Sequence, residues 1–482
     1  MVQYTGHRAR IVKHIGSARD ETERNLLINK AQEWIEKYTK QPNLFPGQKQ
    51  NVLIVERSEC VRVTHDFAYQ FFKSCLGECQ LTHLPPLLLD LAIIRLIEPA
   101  SKLRSLELLS RYFEIKYSQR IYRTIPKLTS WKAEIEQQAY GVAKQLFKEQ
   151  FYYVLYDVTT LYFESFKPDE LKKQGFSKDN KSQQPQIVIG LLVTQAGFPL
   201  AYDVFAGNTF EGKTMLPIVE SFIARHPDTK PIVVADAAML DDDRLADLRE
   251  KGISYIVGAR LANKDLRTVK KIHSALESAN GAITRLNSSH GNLICDFSVK
   301  RYKKELNDLN KLIEKAEDLI AKQSSGVKAK FIKRVSKEKI VLNTALIEKR
   351  KLLLGIKGYC TDLHEDQLPA QQAIERYHHL WRVEQSFRMS KYDLEARPIY
   401  HQKEEAIKSH VLICFLALII EKYLELKTQM TLRSIRVLVW NITESHIRDT
   451  VTSETFKFTS PAKELMQSQL APLVRKWKLL PH

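Results

Sequence analysis

Three carboxylates carry most of the chemistry in this sequence. Asp157 interrupts the apolar run YYVLYDV, Asp236 ends IVVAD, and Glu384 stands among bases and aromatics in YHHLWRVEQSFRMSK. An acid inside or at the end of an apolar strand costs several kcal/mol unless something neutralises it. Asp157 alone is a weak signal, because acids in turns and caps are common, and a lone glutamate among bases is ordinarily a solvated salt-bridge partner. Three carboxylates brought together repel one another and call for a cation between them. All-oxygen ligation with open positions suits magnesium or manganese rather than zinc. Two such ions roughly 4 Å apart can activate a water and stabilise a leaving oxygen in phosphoryl transfer.

The elements that must position these acids follow from the periodicity. FYYVLYDVTTLYFES, at 151–165, is aromatic and β-branched and predicts a strand. QIVIGLLVT (186–194) and PLAYDVFAG (199–207) predict two more, joined by the short turn QAGF. A helix over about 213–225 follows, then the continuous apolar run KPIVVADAAML, the mark of a strand covered on both faces. A charged helix at 242–251 and the strand ISYIVGARL at 253–261 complete a mixed α/β sheet. Ligand sites in such sheets lie beyond the carboxyl ends of strands, where Asp236 falls. Upstream, residues 20–40 read as an amphipathic helix, NVLIVE as a short strand, and 64–150 as mostly helical. Downstream of 261 come two strand-like pieces, ITRLNSS and NLICDFSVK, and a long charged helix, RYKKELNDLNKLIEKAEDLIAK.

The 482 residues carry a formal charge of +18, which favours a polyanionic partner, nucleic acid before a membrane surface. Half of that excess, a net +9, lies between Lys300 and Lys351 and suggests a phosphate-facing surface. VLICFLALII, at 411–420, is about half a bilayer span and predicts a buried helix, so no membrane is expected. Six scattered cysteines, with Cys75 and Cys79 lacking a second pair, argue against zinc and for reduced thiols in a cytoplasm.

DVTTLYFES, GFSKDNKSQQPQIVIGLLV, FAGNTFEGKT, VVADAAML, YHHLWRVEQSFRMSK and ARPIYH stand in this order in the chain. They resemble a bacterial insertion-sequence transposase of the DDE class with the YREK signature, insertion-sequence family four in its broad sense. The resemblance spans about 60–425. It implies a ribonuclease H-like mixed-sheet core with an inserted domain, and Asp157, Asp236 and Glu384 as catalytic ligands of two Mg2+ (or Mn2+) ions. Tyr377 and Lys391 fill the first and last signature places. Leu380 stands where the signature has arginine, and Ala238 where the usual residue after the aspartate motif is glycine. The chain also begins abruptly in basic, strand-like residues, as if family sequence upstream were missing.

The resulting organisation is a basic segment and helix at 1–60, a helical DNA-binding region at 61–150, and the first part of the core at 151–261. An insertion at 262–360, the rest of the core at 361–425 and a helical tail at 426–482 follow. The implied function is cut-and-paste transposition by a bacterial, cytoplasmic enzyme that binds the terminal inverted repeats of its element and its target DNA, with a homodimer in the synaptic complex. A metal-dependent nuclease on the same core and a catalytically silent DNA-binding regulator stay open as alternatives. The insertion lacks tryptophan, so a flipped base would have to stack on Phe297, Tyr302, Phe331 or Tyr359.

Within the opening stretch, Tyr377, Glu384 and Lys391 are spaced by sevens. On one straight helix they would form a stripe drifting by about 20° per step, with neighbours about 10 Å apart. Arg388, four residues beyond Glu384, would lie one turn along the same face, whereas Arg382 would point away. Tyr377, Arg388 and Lys391 are therefore the expected DNA-binding side chains. Arg382 is expected to pair with acids elsewhere or to face solvent.

Overall fold

The computed structural model describes residues 1–39, 57–118, 120–147, 152–164, 167–175, 183–236, 242–288, 291–322, 330–334 and 340–480. NVLIVE, Ala238 and most of GFSKD lie outside the described residues. The chain divides into two compact units. One comprises Met1–Glu78, Pro85–Ile121 and Lys427–His482; the other comprises Cys79–Leu84 and Tyr122–Leu426.

The larger unit is built on one eight-stranded sheet. Its strands in chain order are β1 (Tyr153–Tyr162), β2 (Gln186–Thr194), β3 (Pro199–Ala206) and β4 (Ile232–Ala235). β5 (Tyr255–Ala259), β6 (Ile283–Ser288), β7 (Gly291–Phe297) and β8 (Ile356–Thr361) follow. The spatial order is β3-β2-β1-β4-β5-β8-β7-β6. β1, β2 and β3 pair antiparallel, and β1, β4 and β5 pair parallel. β8, β7 and β6 continue the sheet antiparallel from the edge of β5. The parallel step from β1 to β4 needs a covered crossover, and the Met215–Arg225 helix lies in that connection.

Every residue of β2 is buried, as its unbroken apolar run requires. Against one face lies the 25-residue helix Glu404–Thr428, whose segment 411–420 is buried throughout. Phe415 meets Tyr202 of β3 with ring centroids 4.6 Å apart. No helix among the described residues is long and apolar enough to cross a membrane. Against the other face lie Met215–Arg225 and Lys132–Phe147, where Tyr140 meets Phe222 at 5.9 Å. Gly190 of β2 is fixed by this packing, because a Cβ there would lie 2.4 Å from the Tyr156 hydroxyl and 2.6 Å from Ile218 Cδ1. Gly190→Ala is expected to cost about 1–3 kcal/mol through overpacking. A urea-unfolding midpoint equal to wild type would contradict it.

β8 was not apparent from the sequence. Its six residues, IKGYCT, include a glycine and a lysine that mask strand character, and its place between β5 and β7 supplies the burial. The charged helix is present as Val299–Ala321, and its apolar stripe packs on Phe331, Ile347 and Leu354.

The smaller unit is not purely helical at either end. Residues Val2–Thr5 and Arg8–Ile11 form a two-stranded antiparallel ribbon. The tail expected to be helical contains the strands Glu444–Asp449 and Thr455–Thr459, which form a three-stranded sheet with Ser58–Thr64. TFKFT alternates aromatic and polar side chains, the strand period, and the intervening DTVTSE turns the chain back. The six cysteines are all free.

Candidate active site

The register of β1 and β4 decides where the aspartates fall. Tyr156 is level with Ala235 in this parallel pair, so Asp157 and Asp236 follow at the same height on adjacent strands. Neighbouring strands run about 4.8 Å apart, which brings the two carboxylates to one region of the sheet. Tyr156, one residue earlier, points to the opposite face, where its hydroxyl donates to Thr214 Oγ1 at 2.7 Å. Asp157 is half-buried, and Asp236, past the last β4 residue, is exposed.

Glu384 arrives on the helix α1 (Trp381–Arg388), which packs over β1 and β2. Ser386 anchors that helix by donating to the carbonyl of Gly197 at 2.9 Å, in the β2–β3 turn. Gln385 donates to Glu425 at 2.9 Å. Gly197 takes φ +83°, a conformation the turn requires and other residues resist.

The segment is not one straight helix. The Ala370–His378 helix ends before α1, and Leu380 N–H bonds Tyr377 O at 3.1 Å while Val383 N–H bonds Leu380 O at 3.1 Å. Such three-residue steps eclipse side chains at i and i+3, and both Tyr377 and Leu380 are buried. Beyond Arg388 the backbone widens into a π-helical turn, Met389–Asp393, closed by Leu394 N–H to Met389 O at 3.0 Å. The expected single stripe is thus replaced by three short elements carrying Tyr377, Glu384 and Lys391. A π turn absorbs an extra residue, and such turns frequently occur at functional sites.

All six sequence-selected residues nonetheless line one cleft of about 600 Å³: Asp157, Asp236, Tyr377, Glu384, Arg388 and Lys391. Tyr377 donates its hydroxyl to Asp236 Oδ1 at 2.9 Å. Arg388 is exposed on the cleft wall. Arg382 does not line it, as the helical angle anticipated, and among the described residues it forms no ion pair. Its guanidinium lies 3.5 Å from the Ala196 carbonyl and 5.1 Å from the Trp381 ring.

One charged neighbour was missed. Lys357 of β8 lines the same cleft, with Nζ 4.5 Å from the Tyr377 ring centre. Burial and nearby Arg301 lower its pKa from the ordinary lysine value, while Asp236, Asp296 and Glu384 oppose the shift. Nothing in the sequence singles this lysine out from the many around it. Trp381 and Tyr392 also line the cleft, 53% and 65% exposed. By contrast Phe297, Phe331 and Tyr359 are buried, and only Tyr302 of the four expected stacking aromatics is partly open. Phe331 is consumed by packing on Leu309 and Ile347, and Tyr359 donates to Asp296 at 3.0 Å.

The donor chemistry fits hard divalent ions, because the acids of the cleft are carboxylates with no thiol beside them. Among the described residues no three acid, imidazole or thiol groups stand close enough together to hold one ion. A magnesium ion needs only one or two carboxylates, the rest of its shell being water and substrate oxygens.

The sheet brings Asp157 and Asp236 to a cleft that Glu384, Lys357, Arg388 and Lys391 also line. A family model described as "Transposase DDE domain" matches residues 151–420, more than half of the chain, and the chain belongs to that family. It is a DNA transposase, an enzyme that cleaves and transfers DNA strands, and such enzymes use divalent metal ions. No curated protein matches it. Among solved structures, the cryo-EM structure of the piggyBac transposase synaptic complex with hairpin DNA aligns over 94% of this chain and 82% of that one. The identity is 9% and the TM-score 0.38.

Proposed function

We propose that the cleft between β1, β4 and α1 is the active site of a cut-and-paste transposase of the YREK type, insertion-sequence family four in its broad sense. Asp157, Asp236 and Glu384 are its catalytic carboxylates and hold two Mg2+ or Mn2+ ions. Tyr377, Arg388 and Lys391 contact the DNA. One observation carries this reading: six residues picked from three distant sequence segments line a single cleft. The strand order β3-β2-β1-β4-β5, antiparallel then parallel, supports a ribonuclease H-like core for residues 151–261 and 361–425. The stretch 262–360 is read as the insertion, 1–60 and 61–150 as regions that engage DNA, and 426–482 as the tail.

When bound, the ions would supply an activated water and a counter-charge for the leaving oxygen. The chain's own part is positioning. Tyr377 orients Asp236 through its hydroxyl, and Arg388 and Lys391 hold a phosphate against the acids. The substrates are the terminal inverted repeats of the element and a target duplex, joined in a synaptic complex of two copies in a bacterial cytoplasm.

The test is a strand-transfer assay with labelled element ends, a plasmid target and magnesium, manganese or calcium. Cleavage followed by joining in magnesium or manganese, and not in calcium, is the expected result. Cleavage without joining would make the protein a nuclease on the same core. End binding with neither would leave a silent regulator.

A further inference from the structure

The ribbon at the start of the chain has no part in the cleft, yet its two faces differ sharply in chemistry. Val2 pairs with Ile11, Gln3 with Arg10, Tyr4 with Ala9 and Thr5 with Arg8. Paired residues share a face, and alternate residues share it too. Gln3, Arg8 and Arg10 therefore stand on one side, and Val2, Tyr4, Ala9 and Ile11 on the other. The turn holds two residues, Gly6 and His7, with Gly6 at φ +62°. A glycine at the first central position belongs to a tight hairpin turn whose twist matches the strands.

Among the described residues no acid pairs with the arginines of this ribbon. Residues 1–19 contain Arg8, Arg10, Lys13 and Arg19 and no acid. The acids that begin the following helix have bases of their own: Arg57 reaches Asp20 and lies 3.2 Å from Glu23, and Arg24 lies 3.6 Å from Glu21. Among the described residues neither Arg8 nor Arg10 forms an ion pair, and both are exposed. The stem of the ribbon is anchored. Val12 N–H bonds Met1 O at 3.0 Å, and Lys13 Nζ sits 5.5 Å from the Trp34 ring centre on the Glu21–Thr39 helix.

We propose that this ribbon enters the major groove of the element's end and reads base edges with Arg8, Arg10 and Gln3. The inference rests on the terminal-repeat binding set out above. The major groove admits a two-stranded ribbon, arginine pairs bidentately with guanine, and glutamine pairs with adenine. Arg8 and Arg10 are two strand residues apart, about 6.8 Å, which matches two base-pair steps of about 3.4 Å. A second copy of the chain seated on the exposed Tyr4 and Ile11 is the competing occupant. That face lies opposite the arginines, so a copy seated there would leave Arg8 and Arg10 without a counter-charge, which favours a polyanion as the ribbon's occupant.

The experiment measures binding of the full chain to two equal-length labelled duplexes. One carries the inverted repeat found beside the gene, and the other the same bases scrambled. Arg8→Ala and Arg10→Ala should each weaken binding to the repeat roughly tenfold to hundredfold, with a much smaller loss on the scrambled duplex. Arg8→Lys keeps the charge and should keep scrambled binding, yet lose the preference for the repeat. At saturating DNA all three variants should still cleave, which separates this idea from the active-site assignment. Equal losses on both duplexes, or no loss on either, would overturn base reading. So would Tyr4→Ser and Ile11→Ser abolishing self-association in sedimentation while the arginine variants bind normally.

Discussion

Asp157→Ala, Asp236→Ala and Glu384→Ala are each expected to lower strand cleavage at least roughly a thousandfold, the scale of losing a key electrostatic group in an active site. End binding should hold within about twofold, because attraction to phosphates resides in the bases, which remain. The three sites fail for the same reason from different elements. Asp157 comes from the middle of β1, Asp236 from the end of β4, and Glu384 from α1 across the cleft. Asp157→Asn and Glu384→Gln keep the volume and remove the charge, and should fail equally. Asp157 is the most demanding case, being half-buried and opposite Leu191 in the β1–β2 pair, so its variants need a melting curve beside the cleavage gel. A folded variant of any of the three that still cuts would remove that residue from the catalytic set.

What the sequence revealed and what it hid divide along a physical line. The first five sheet strands announce themselves because burial on both faces demands long apolar or β-branched runs, as in QIVIGLLVT and IVVA. Asp157 and Asp236 stood out against that background for the same reason: a charge is conspicuous where the surroundings exclude water. β8 did not stand out, since a six-residue strand with Lys357 and Gly358 inside it takes its burial from neighbours that are remote in sequence. Lys357 was hidden with it, although it lines the same cleft as Asp236 and Glu384. The helix carrying Glu384 was legible as a helix, but not its tightening at Leu380 or its widening at Met389–Asp393. Periodicity assumes about 3.6 residues per turn and cannot register one turn that narrows and another that expands. The two departures together still deliver Tyr377, Glu384 and Lys391 to one cleft, which spacing by sevens had anticipated on other grounds. The tail strands were missed because five- and six-residue strands against a distant partner, Ser58–Thr64, carry little local signal.

Arg388→Ala should reduce cleavage at fixed salt by roughly tenfold to a hundredfold, the scale of one charge-assisted hydrogen bond. Arg382→Ala should cost less than about threefold, as expected for a base away from the reacting phosphate. The two arginines sit on the same short helix, so the pair controls for general loss of positive charge. Their surroundings differ. Arg388 is exposed on the cleft wall one turn from Glu384, whereas Arg382 is turned onto the Ala196 carbonyl and the Trp381 ring. The comparison also bears on Leu380, which occupies the signature's arginine place. Leu380 is 8% exposed and borders the cleft, so its side chain contributes packing where the signature residue would contribute charge. If the phosphate is held in spite of that, the charge must come from elsewhere on the same wall, and Arg388 and Lys391 are the bases that α1 and its π-helical extension present. Single-turnover cleavage of a labelled end duplex measures both variants under one condition. A larger loss from Arg382→Ala than from Arg388→Ala would place the phosphate on the other side of the helix and remove Arg388 from the clamp.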